Sequence, residues 1–132
     1  MTESNATGEG LDLGAVRAAL REELRSRGHG VASDTLGLRR DLYLIGKGDL
    51  ARALFEFSDS AESAMYAMYQ GQWMPNMPPR FAVIPDRERG ADQLEMLEQI
   101  RVIPLFFGMA EDGVTFDDLD ELLAEHVGPS LG

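Results

Sequence analysis

The stretch Asp41–Ser58, DLYLIGKGDLARALFEFS, decides how this 132-residue chain is read. Asp41 to Ile45 is short and apolar. Gly46-Lys47-Gly48-Asp49 is a turn signal, because glycine adopts backbone conformations that other residues avoid. Leu50 to Phe57 is again apolar and aromatic. Two such runs around a glycine-bearing turn predict a β-hairpin. Strand alternation then sets Arg52, Leu54, Glu56 and Ser58 on one face, with Ala53, Phe55 and Phe57 on the other. With the turn centred near Lys47 or Gly48, Asp41 falls opposite Glu56.

Upstream of the hairpin, Leu13, Val16, Leu20 and Leu24 form the apolar stripe of an amphipathic helix over Leu11 to Arg27. Gly28 and Gly30 stop it. Residues 1–10 predict a flexible tail, and 11–127 a single domain. Downstream, Asp59 and Glu62 have capping-box spacing ahead of a helix that begins near Ala61. Gly71 and the segment WMPNMPP end that helix. Phe81 to Ile84 (FAVI) predicts a buried strand. A turn at Pro85-Asp86 leads to a helix over Ala91 to Ile100, and Val102 to Phe107 (VIPLFF) predicts another strand. A strand–helix–strand unit of this length implies parallel pairing through a right-handed crossover. Thr115 to His126 predicts a last helix, with Phe116, Leu119, Leu122 and Leu123 as its apolar face. The fold class is therefore α/β: a mixed sheet of about four or more strands, with an N-terminal hairpin, later parallel strands and flanking helices.

Composition bounds the function. Hydrophobic residues make up 44% of the chain, enough for one core, which excludes disorder throughout. No apolar run approaches the ~18 residues of a membrane span. The polar start, Met1 to Gly10, has no signal-peptide pattern, so a cytoplasmic protein without membrane partners is expected. The absence of cysteine excludes disulfides, thiolate metal sites and cysteine nucleophiles. The net charge is −11, and seven acids with no base follow Arg101. Only Arg17 to Arg40 runs the other way, with six arginines against three acids. This balance disfavours broad nonspecific nucleic-acid binding by the free chain and leaves a local basic patch near the front.

Two carboxylates on neighbouring strands, Asp41 and Glu56, suit a shared divalent cation. Mg²⁺ takes oxygen ligands and keeps several waters, so one or two carboxylates suffice. Such an ion can orient a water against a phosphodiester. The plainer reading is a strand-capping Asp41 and a solvated Glu56. Arg17, Arg21 and Arg25 line one helix flank, either to touch phosphates or simply as a solvated face. His29, between two glycines, and His126, at a helix end, have no matched partner in the sequence. Met65, Met68, Met74 and Met77 cluster with Tyr66, Tyr69 and Trp73. The loop residues Trp73, Met74 and Met77 are the expected contact surface for a protein partner.

The element order and the hairpin acids resemble the PD-(D/E)xK, or restriction-endonuclease-like, nuclease superfamily. Its core is a helix, a hairpin carrying an Asp and then a Glu-x-Lys, a helix, a strand, a helix and a strand. The resemblance runs from Leu11 to Phe107. It implies a restriction-endonuclease-like fold, with Asp41 as the metal-binding Asp and Glu56 as the Glu of Glu-x-Lys. Mg²⁺ is implied only if the site is catalytic. The family's Lys position is Ser58 here, completing an implied catalytic set of Asp41, Glu56 and Ser58. Serine offers a hydrogen bond but no charge. Lys47, the only lysine, belongs to the turn, which is expected on the order of 20 Å from Glu56 along an extended strand. Arg39, two residues before Asp41 on the same strand face, could supply a positive charge, and the resemblance implies Glu23 as an accessory third acid and Gln70 on the following helix. The expected function is an inactive or accessory module that binds a protein, or a nucleic acid through a complex. The alternatives are an active Mg²⁺-dependent nuclease and an unrelated α/β regulatory or interaction domain. Edge strands in a small mixed sheet make a homodimer an expectation as well.

Overall fold

A computed structural model describes residues 12–33, 41–45, 51–69 and 78–128. The predicted tail, the hairpin turn at 46–49, and Arg39, Lys47, Gln70, Trp73, Met74 and Met77 lie outside the described residues. The chain is α/β. Helix α1 (Leu13–Ser26) is followed by strands β1 (Gly30–Ser33), β2 (Asp41–Ile45) and β3 (Ala51–Phe57). Helix α2 (Ala61–Tyr69), strand β4 (Arg80–Pro85), a 3-10 turn (Asp86–Gly90) and helix α3 (Gln93–Gln99) come next. Strands β5 (Val102–Ala110) and β6 (Gly113–Phe116) and helix α4 (Leu119–His126) complete it. The strands form one six-stranded mixed sheet in sequence order. Pairs β1–β2, β2–β3 and β5–β6 are antiparallel, while β3–β4 and β4–β5 are parallel. Helix α3 lies in the connection between β4 and β5, as the apolar runs at Phe81 and Val102 implied.

Side-chain alternation divides the core between the two sheet faces. On one face, Leu42, Leu44, Phe55, Phe57, Phe81, Val83, Leu105 and Phe107 pack under Leu13, Val16, Leu20 and Leu24 of α1 and Leu119 and Leu123 of α4. The Phe55 and Phe81 rings stack there at 4.8 Å. On the other, Ala82, Ile84 and Val102 meet Ala61 and Ala64 of α2 and Leu97 of α3. Every residue of β4 is buried, as expected of a central parallel strand covered on both sides.

Local chemistry sets the ends of the elements. The Asp12 carboxylate accepts from the Ala15 amide at 3.2 Å and caps α1. At α2, Ser60 Oγ accepts from the Ser63 amide at 3.0 Å, and Glu88 Oε1 accepts from the Ala61 amide at 2.8 Å. Its first turn is therefore held by Ser60 and by a carboxylate from the 3-10 turn, in place of the expected Asp59–Glu62 box. The helix expected from Thr115 begins at Leu119, and Thr115 and Phe116 belong to β6. Phe116 fits an apolar helix stripe equally well, whereas β-branched Val114 and Thr115 favour the strand.

Candidate functional site

The antiparallel register pairs Asp41 with Glu56, α-carbon opposite α-carbon, at the end of the β2–β3 ladder. Directly opposed residues occupy one face of a ladder and have closely spaced β-carbons. Phe55 and Phe57 flank Glu56 and are buried under α1. Glu56 therefore belongs to the opposite face, the one covered by α2 and α3. Its parallel-ladder partner, Ala82, sits in the core of that face. The glutamate is half-buried. Asp41 enters through its backbone position alone. Among the described residues, no group of three or more His, Asp or Glu side chains is arranged to hold a metal.

Ser58 follows β3 on the same face by alternation. It is 7% exposed, and its amide donates to the Val83 carbonyl at 3.1 Å, continuing the β3–β4 ladder. The position where the resemblance requires a lysine thus holds a small neutral side chain in a closed setting.

Sequence reading missed a buried cation on this face, Arg80. It opens β4 opposite Leu54 and Val102. It is only 3% exposed, and its guanidinium donates to the Ile100 carbonyl at 2.7 Å, at the end of α3. Burial lowers its pKa from the ordinary arginine value, while the nearby Glu56 charge acts in the opposite direction. A lone arginine ahead of FAVI reads as a strand-boundary residue, and only the parallel register reveals its burial beside Glu56.

Glu23 does not join the acids. It is on α1, on the other side of the sheet, where its carboxylate accepts from Arg27 at 2.7 Å. Arg27 also donates to Asp120 of α4 at 2.6 Å, so the arginine clamps two helices. Both carboxylates raise the Arg27 pKa. Arg21 and Arg25 are exposed and Arg17 half-buried on this same helix, on the face away from Glu56. His29 is 9% exposed. Burial lowers its pKa below the ordinary histidine value, and the charges of Arg52 and Arg27 add to the effect. The His126 ring meets Phe81 edge-on at 6.0 Å.

A groove of about 800 Å³ lies at the starts of β4 and β5, and neither Glu56, Ser58 nor Arg80 lines it. Among the described residues, no helix is long and apolar enough to cross a membrane. Comparison of the chain with protein-family models, with curated proteins and with solved structures gave no match.

Proposed function

We propose that the chain is a restriction-endonuclease-like module whose nuclease site is degenerate, and that it acts as an accessory protein by binding a partner. Ser58 carries this reading. The two acids keep opposed register positions, but the residue that should offset phosphate charge is neutral and buried. Arg80 does not replace it simply, because its guanidinium is held by the Ile100 carbonyl beneath α3. Helix α1, the β2–β3 pair, α2, β4, α3 and β5 follow one another in the order of the resemblance, with β1 added before the pair and β6 and α4 after β5.

The Asp41–Glu56 register favours one second reading, an active Mg²⁺-dependent nuclease. In that case the acids would hold the cation, and the cation would polarise the phosphodiester and its attacking water. Calorimetric titration of Mn²⁺ into wild type and Glu56→Ala separates the two. The accessory reading expects no saturable heat from either protein. Saturable binding by wild type that disappears in Glu56→Ala would favour the enzyme.

A further inference from the structure

The groove at the starts of β4 and β5 has a composition suited to a ligand. Its floor is apolar, with Leu94 from α3 and Val102 and Ile103 from β5. Pro78, Pro79 and Pro104 also line it, and none of them has a backbone N–H to offer. An occupant is therefore recognised mainly through side chains and not by adding a strand. The polar members are unbalanced. Glu95 and Glu98, both exposed on α3, stand against Arg101, with His126 on the far wall. Arg101 adopts φ 63°, the left-handed region that glycine enters without cost. That conformation turns the chain from the end of α3 into β5 and forms a corner of the groove. A left-handed residue just past the helix cap is a common way to end a helix, and here its amide donates to the Glu98 carbonyl at 3.0 Å. The volume of about 800 Å³ falls within the range of ligand-binding clefts.

We propose that this groove docks an extended segment of a partner protein, with a lysine or arginine beside apolar side chains. The basic group pairs with Glu95 and Glu98, and the apolar groups cover Leu94, Val102 and Ile103. The same two glutamates repel a phosphate backbone, which favours a protein occupant over a nucleic acid. The proposal rests on the accessory reading above and names the chemistry of its partner.

The test is selection of a random linear peptide library displayed on phage against the full chain. Enriched peptides are then measured by fluorescence polarisation. Enrichment of Lys or Arg next to Leu, Ile, Val or Pro is expected. Affinity falls about tenfold or more in the double variant Glu95→Lys/Glu98→Lys and weakens with added salt, as a charge-paired contact requires. Glu22→Lys, a charge reversal on α1, leaves it unchanged. Leu94→Gln, which keeps the charges and alters the floor, weakens binding too and covers the case in which the double variant fails to fold. No enrichment, acidic peptides, affinity indifferent to both groove variants, or competition by a single-stranded oligonucleotide would overturn the proposal. Glu56→Ala binds the peptide as wild type does, so a nuclease found at Asp41 and Glu56 would overturn the accessory reading alone.

Discussion

Arg80 holds a charge where almost no solvent reaches, and its bond to the Ile100 carbonyl ties the start of β4 to the end of α3. Arg80→Ala leaves that carbonyl without its donor and opens a cavity beneath α3. A loss of about 2–4 kcal/mol in unfolding free energy is expected, measured by urea denaturation. His29 gives a pH signature. Its folded pKa lies below the ordinary value, so the unfolded chain binds the proton more readily. The stability contributed by neutral His29 is present above the ordinary histidine pKa and is lost as pH falls through that range. Thermal melts of wild type should therefore fall more steeply from pH 7 to pH 5 than those of His29→Gln. Equal slopes would remove His29 from the account.

Among the elements, the β5–β6 hairpin shows where local rules decide. Ala110 pairs with Gly113 across the turn Glu111-Asp112, and Gly113 has φ 141°. Gly113→Ala forces a β-carbon into a conformation L-residues avoid, so a loss of about 1 kcal/mol or more is expected in the same denaturation assay. The β2–β3 hairpin was legible in advance because a period of two on both sides of a glycine turn has no helical counterpart. Its predicted pairing of Asp41 with Glu56 matches the ladder. Strand β1 was not legible, because Gly30–Ser33 offers one bulky side chain, Val31, directly after a helix stop. Strand β6 was hidden because Phe116 satisfies both periodicities. At the candidate site, the two acids were legible from alternation. The burial of Arg80 was not, because it depends on a parallel pairing with β3 that no local pattern encodes.

Across the whole molecule, the sheet separates the charges relevant to a polyanion. Arg17, Arg21 and Arg25 ride on α1, over Phe55 and Phe57, while Glu56 and Ser58 are on the reverse face. The basic stripe is thus badly placed to neutralise a phosphate at the acids, and the net charge of −11 repels one in bulk. Loss of one charge-stabilising group in a preorganised site commonly costs ~10²-fold or more in rate. The most direct measurement is the Mn²⁺- or Mg²⁺-dependent cleavage rate of single-stranded DNA, double-stranded DNA and RNA by the purified chain, with Glu56→Ala as control. The account predicts no cleavage above that of Glu56→Ala on any of the three. Robust wild-type cleavage that Glu56→Ala abolishes would contradict it.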